Sequence, residues 1–439
     1  MISILPNIIF TFLLIISVGF FSLNIRKLIK VIKLGKAVDR FDNPSKRLSN
    51  MIMIALGQSK MLNKPISGIL HLIVYIGFII INIEVLEIII DGITGSHRFF
   101  SKIFNTYIYN FLIASFEILA LLVLISVIVF WSRRNIVKIK RFLSAEMKGW
   151  PKFDADNILY FEVILMLLFL SMNATDLILQ ERNYDNYYSA GSFPISTFLV
   201  PLFDSLSTSS VYYLERIFWW SHIIGIFFFL NYLYYSKHLH ILLAFPNTYF
   251  ANLEDKGKFN VLESVKNEVL LMFYPEKASQ NNQNIDKFGA SDVLDLNWVQ
   301  LMNAYSCTEC GRCTSECPAN ITGKKLSPRK IMMDTRDRLE KVSKNISINK
   351  GKFIDDGDRL LDNYISKEEL WACTSCNACV EACPINIDPL SIIMDMRQYL
   401  IMEESSAHPD LNNMMNNIEN NGAPWPYNQQ DRELWIQET

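Results

Sequence analysis

Eight cysteines carry the most specific chemistry in the chain, and they form two copies of one pattern. The first copy is Cys307, Cys310, Cys313, Cys317 and Pro318; the second is Cys373, Cys376, Cys379, Cys383 and Pro384. Three thiolates separated by two residues, a fourth after three more, and then proline match the bacterial run that wraps [4Fe-4S] clusters. Short loops of this kind turn three sulfurs onto one cubane. Two such runs in one domain exchange their fourth ligand, so one cluster is expected on Cys307, Cys310, Cys313 and Cys383. The second is expected on Cys373, Cys376, Cys379 and Cys317. Zinc usually takes its ligands as two pairs. Disulfides do not suit a reducing cytosol.

Histidines in apolar segments are the second signal, because a ligating side chain is costly inside a bilayer and marks function by default. His71 lies about two turns into the second apolar segment, and His222 lies within the fifth, which closes with Lys237, His238 and His240. Imidazoles on facing helices are what a b-type haem with two axial histidines requires. His71 is the expected ligand on the second helix; its partner is open among His222, His238 and His240. If the fifth helix runs on, His222 and His240 share a face and His238 points away. No further histidine follows on the second helix, where isoleucines and Asn82 stand, so one haem at most is expected. The competing roles are hydrogen bonds between helices and anchoring in the headgroups. Glu84, Glu87, Glu117, Glu162 and Asp176 are candidates for quinone protonation or for pairing between helices, with Glu87 and Asp176 near the outer interface. His97 and His408 read as solvated.

The elements that must position these groups are helices. Apolar runs at 4–24, 66–90, 107–131, 157–180 and 211–235 are each about the 20 residues that a bilayer requires. No small-residue cleavage site follows the first, which reads as a retained helix. The stretch from Phe193 to Phe203 contains two prolines and reads as a loop or interfacial segment. Basic residues crowd the first loop, from Arg26 to Lys64, and the third, from Arg133 to Lys152. By the positive-inside rule the N-terminus is outside and the cysteines are cytoplasmic, in a multi-pass protein of the cytoplasmic membrane. With half of 439 residues hydrophobic and a formal charge of −2, nothing points to nucleic acid.

The expected fold is all-α: a five-helix transmembrane bundle over residues 1–243, a connector over 244–296, a helical two-cluster ferredoxin domain over 297–404 and a polar tail over 405–439. The connector contains an amphipathic stretch, Leu262 to Phe273, and an exposed loop, Gln280 to Asn284. Ser327 with Pro328 and Asp388 with Pro389 open matching helices, running to Lys341 and about Glu404. Trp425 and Trp435 in the tail either dock a partner or pack on their own domain. Arg312, Lys324, Lys325, Arg329 and Lys330 are candidates for a positive docking face, or for a solvated helix surface.

His71 with the string Ser236, Lys237, His238, Leu239, His240 resembles the nitrate reductase gamma subunit type of membrane domain. The stretches CTECGRCTSECPANITGKKLSPRKI and LWACTSCNACVEACPINIDPLSII resemble the heterodisulfide-reductase-like ferredoxin domain fused to it in membrane-bound iron-sulfur oxidoreductases of the electron-transfer-flavoprotein dehydrogenase type. The resemblance covers nearly the whole chain. It implies electron transfer between a cytosolic redox partner and the quinone pool through two [4Fe-4S] clusters and haem b. Longer members continue into a cysteine-rich CCG-type domain, and this sequence stops near the segment that leads into it. That domain is expected on another polypeptide, unless the protein works without it. The two-haem gamma subunits also have a second histidine on helix two, which is absent here. Three functions follow as expectations. The first is a quinone-linked relay partnered by an electron-transfer flavoprotein or a CCG-type subunit; the second is a quinol-driven relay to a heterodisulfide-reductase-like catalytic subunit; the third is a non-catalytic membrane anchor whose clusters are structural.

Overall fold

The computed structural model describes residues 4–255, 258, 261, 263–277 and 287–437. Among them there is no strand, and five helices are long and apolar enough to cross a membrane. These are α1 (Leu5–Ile32), α2 (Pro65–Thr94), α3 (Thr106–Asn135), α4 (Trp150–Glu181) and α5 (Thr208–Tyr232). Their starts follow local chemistry. Proline stands in the first turn of α1, α2 and α4, where its missing amide is harmless. The Asn105 and Ser207 side chains cap α3 and α5 by accepting from the Ile108 and Ser210 amides. The lipid side of the bundle is apolar, with Ile15, Ile79, Ile125 and Phe228 exposed.

The helices outrun the apolar spans because their polar ends are held by other contacts. The last turns of α1 leave the bundle, and Leu28, Val31 and Ile32 are buried against the cysteine domain. There the Lys36 amide donates to the Leu296 carbonyl at 2.8 Å and the Trp298 amide donates back to Lys36 at 3.1 Å. At Gly92 a methyl group would stand 2.6 Å from the Phe10 ring, so its lack of a side chain is what lets α1 lie on α2.

Short turns close the fifth span and form the two-proline segment. The fifth helix does not run on to His240: after a 3-10 turn at Leu233–Tyr235, Ser236 is extended (φ −110°, ψ 153°) and its hydroxyl accepts from the His238 amide. A second 3-10 turn, Lys237–Leu239, leads into α6 (His240–Tyr249). The segment with two prolines is folded into the bundle as a 3-10 turn, Ser196–Leu199, and a one-turn helix, Val200–Phe203. Its anchor is Glu117 of α3, which accepts from the amides of Ile195 (2.9 Å) and Ser196 (3.1 Å) and from the Ser196 hydroxyl. Glu117 therefore pairs between elements.

The cysteine domain repeats one unit. Helix α7 (Trp298–Ser306) delivers the first cysteine run, and α8 (Pro328–Ile348) follows it with Ser327 as its cap. The second run leads to α9 (Pro389–Met402), capped by Asp388, whose carboxylate accepts from the Ser391 amide at 3.0 Å. Leu301, Ile331, Leu339, Ile392, Met396 and Leu400 form a common core, joined by Ala290, Val293 and Leu296 from the segment before α7. At its edge the buried Arg338 guanidinium is clamped by Asp292 and Asp356, each at 2.7 Å. The tail contains α10 (Pro409–Asn421), and Trp425 and Trp435 are exposed. The loop expected at Gln280 to Asn284 lies outside the described residues, as does Leu262 of the amphipathic stretch, of which Glu263–Phe273 is helical.

Candidate functional site

The two cysteine runs adopt the same turn. Each places a left-handed residue two and four positions after its first cysteine: Glu309 (φ 56°) and Gly311 (φ 72°), then Ser375 (φ 56°) and Asn377 (φ 59°). These turns aim backbone amides at the sulfurs. The Ser375 amide donates to Cys373 Sγ at 3.4 Å and the Ile387 amide to Cys383 Sγ at 3.3 Å, while the Glu309 amide serves Cys307. All eight cysteines are free.

Cys307, Cys310, Cys313, Cys379 and Cys383 line one pocket with Pro384 and Ile385. Cys317 lies within electrostatic reach of both Cys373 and Cys379. Cys383 lies within electrostatic reach of Cys307, Cys310 and Cys313, so the fourth cysteine of the second run approaches the first three of the first. Burial, with the neighbouring thiols adding to it, pushes the Cys307 thiol up to about 12 and Cys383 up to about 11, and Cys313 and Cys379 also rise. Free thiols gathered in this way, with amides directed at Cys307, Cys373 and Cys383, fit iron-sulfur clusters, whose positive cores would supply the charge that thiolates need. Among the described residues no three His, Cys, Asp or Glu side chains converge as ligands of a single metal ion.

The two cysteine groups differ in exposure. Cys376 of the second is exposed, whereas the first faces the membrane bundle, near Arg141 and Lys60. Inside the first cysteine loop, Arg312 donates to the Lys60 and Met61 carbonyls, each at 3.2 Å. Glu309, 2% exposed, meets Lys237 at 2.5 Å and Arg336 at 2.9 Å. Against the cost of burial, these two cations hold the Glu309 carboxyl below its usual range. One residue beyond Lys237 the histidines begin.

His71, His238 and His240 are gathered together, and His222 is apart. His71 lies within electrostatic reach of His238 and of Arg312, and His240 within reach of His238 and His71. His240 Nδ1 is 3.1 Å from the Lys237 carbonyl, which can only accept. The proton is therefore on Nδ1 and the Nε2 lone pair is free. Burial, then the neighbouring His238 and His71, bring His240 down to about 3, so the imidazole is neutral, the form that binds iron. His238 Nε2 instead faces Glu162 at 3.5 Å. His222 packs on the Phe169 ring at 5.8 Å and bonds to the Leu165 backbone. His71 Nδ1 is buried without a partner. A neutral His240 oriented by a carbonyl, within electrostatic reach of His71, is a donor pair that would suit a haem iron.

Residues 306–387 match the 4Fe-4S dicluster domain family. Over 437 residues, 93% of the chain, the sequence is 29% identical to a probable iron-sulfur-binding oxidoreductase, FadF, of Bacillus subtilis, covering 57% of that protein. It is 24% identical over 452 residues, 97% of the chain, to the EtfAB:quinone oxidoreductase of Syntrophomonas wolfei, covering 59% of it. A shorter match, 29% identical over 102 residues, is to an iron-sulfur subunit of the CoB-CoM heterodisulfide reductase of Methanocaldococcus jannaschii, over 23% of this chain and 42% of that protein. The chain is thus similar to iron-sulfur oxidoreductases and to iron-sulfur subunits of heterodisulfide reductases. It spans less than two thirds of the two long relatives. No solved structure matches it.

Several residues of the dicluster domain have roles other than those read from sequence. Arg312 and Arg329 are buried against the membrane bundle and do not form an open docking face. Arg329 donates to the Arg141 carbonyl and to Glu146, each at 2.7 Å. Lys325 pairs with Glu368, Lys330 with Asp334, and Lys324 is exposed. His97 is 17% exposed rather than solvated, and its Nε2 is 3.1 Å from Asp176. His408 is solvated, at 66% exposed. Sequence reasoning missed Glu309 with Lys237, and Arg98 with Asp176 at 2.6 Å. The signal available was an acid inside a cysteine loop and an arginine beside a membrane segment rich in acids.

Proposed function

We propose that the chain is a membrane-bound electron-transfer protein linking a cytosolic redox partner to quinone. In this reading Cys307, Cys310, Cys313 and Cys383 hold one [4Fe-4S] cluster, and Cys373, Cys376, Cys379 and Cys317 hold the other. His71 and His240 hold a single haem b. Bound there, these groups supply one-electron chemistry between a two-electron partner and a two-electron quinone.

The observation that carries the reading is one short turn. Lys237 pairs with Glu309 in the first cysteine loop, and three residues later His240 lies within electrostatic reach of His71. The same backbone therefore fixes the dicluster domain to the bundle and orients the imidazole. Lys237 contributes twice, since its carbonyl sets the His240 tautomer while its ammonium holds the loop. Arg336 and the burial of Glu309 keep water from that junction. Cys376, exposed on the far side, marks the face where a cytosolic partner gains access.

The partner is inferred from the relatives. One is named as an EtfAB:quinone oxidoreductase, which supports an electron-transfer flavoprotein; the resemblance of the cysteine runs to heterodisulfide-reductase-like proteins supports a CCG-type iron-sulfur protein as the other candidate. The test mixes reduced electron-transfer flavoprotein anaerobically with the protein in nanodiscs that contain a menaquinone analogue. Reduction of the clusters followed by quinol formation is expected. Clusters that remain oxidised beside excess reduced flavoprotein would exclude that donor, and the same assay with a CCG-type protein then decides the other.

A further inference from the structure

The end of the bundle away from the dicluster domain contains a cavity of about 650 Å3, walled by the ends of α1, α2, α4 and α5. Its lining is unusual for a membrane interior. Glu84, Glu87 and Asp91 of α2, Asp176 of α4 and Glu215 of α5 all face it, beside Trp219 and several tyrosines. A carboxylate at that depth needs a partner, and four of the five have one. Glu87 accepts from the Phe100 amide at 2.7 Å and from the Tyr109 hydroxyl, and Asp91 from the Arg98 amide at 2.8 Å. Asp176 is held by Arg98 and His97, and Glu215 by Arg216 and by the Tyr187 hydroxyl at 2.7 Å.

Glu84 is different. It is 2% exposed, its Oε1 comes only within 4.0 Å of Arg98, and its Oε2 has no partner. Arg98 instead directs its Nε to Asp176, its Nη2 to Asn173 and its Nη1 to the Tyr109 hydroxyl. The remaining acid nearby, Glu117 of α3, is occupied by the 195–196 turn. His97 Nδ1 is the other unpartnered buried atom on the cavity wall. The cavity has room for several waters, and a polar wall with open acceptors is what retains them.

We propose that this cavity is a proton-exchange chamber in which Glu84 passes protons between the membrane interior and the face opposite the dicluster domain. This rests on the quinone reading above. A quinone that takes two electrons from the dicluster side takes two protons to become quinol, and those protons come from the opposite face. In the reverse direction quinol oxidation releases them there.

The test places the full-length protein in proteoliposomes with a menaquinone analogue in the bilayer, a pH dye inside and valinomycin to collapse the potential. Dithionite added outside does not cross, so it addresses only molecules whose dicluster domain faces out. The expected result is alkalinisation of the lumen by about two protons per quinone reduced. In Glu84→Gln the rate falls at least about tenfold and loses its dependence on lumen pH, with cluster and haem spectra unchanged; Glu84→Asp recovers part of the rate. Quinone reduction with no change in lumen pH, or Glu84→Gln indistinguishable from wild type, overturns the proposal while the relay stands. If wild type reduces no quinone, both fall. If Glu84→Gln does not assemble its clusters, the wild-type lumen signal decides alone.

Discussion

At the scale of single residues, the proposed haem ligands separate cleanly. His240→Ala and His71→Ala are expected to remove the b-type absorption, by about tenfold or more, because each leaves one axial ligand. His238→Ala and His222→Ala should retain it, and a reduced-minus-oxidised optical spectrum of each purified variant checks this. Cys383→Ser should abolish the signal of the first cluster only and lower iron content by about half, measured by EPR and iron analysis. The cysteines were legible in the sequence because a ligand run is local: spacing alone determines which loop forms. The placing of His240 relative to His222 was not legible. It turned on Ser236, whose extended backbone stops the helix and voids the helical period used to align His240 with His222.

At the scale of elements, buried charges far apart in sequence do much of the fastening. Arg338 finds Asp292 46 residues earlier, and Arg329 finds Glu146 across the domain junction, 183 residues away. No local pattern reveals such pairs, whereas the five spans and the capped helices after each cysteine run follow from hydropathy and from Ser-Pro and Asp-Pro signals. Arg338→Ala removes the cation between Asp292 and Asp356, which keep the Val293 and Leu360 amides and Lys341 as partners, and is expected to cost about 1–3 kcal/mol, read as a lower denaturant midpoint for the dicluster domain. A pH effect belongs to α9. Burial raises Asp395 to about 6, with the Gln300 amide donating to it at 2.6 Å. Its folded form holds a proton that the unfolded chain has lost, so this contribution is complete below the ordinary carboxyl range and disappears as pH rises through about 6. Asp395→Asn should remove that fall in stability, seen in thermal melts of the full chain between about pH 4 and 7.

At the scale of the whole molecule, the parts are arranged in one direction. Cys376 is exposed, the first cysteine group faces the bundle beside Arg141 and Lys60, His71 and His240 lie within electrostatic reach of each other, and the acid-lined cavity is at the bundle's other end. The similarity to iron-sulfur oxidoreductases runs over nearly the full chain and agrees with a redox role. The central claim is that one protein joins two clusters and a haem to quinone. The most direct test is an anaerobic optical and EPR titration of the purified membrane protein, with dithionite first and then a menaquinone analogue. The account predicts two interacting reduced [4Fe-4S] signals together with a reduced b-type band, all bleached by the quinone. Clusters that reduce without any haem band and stay reduced when quinone is added would contradict it.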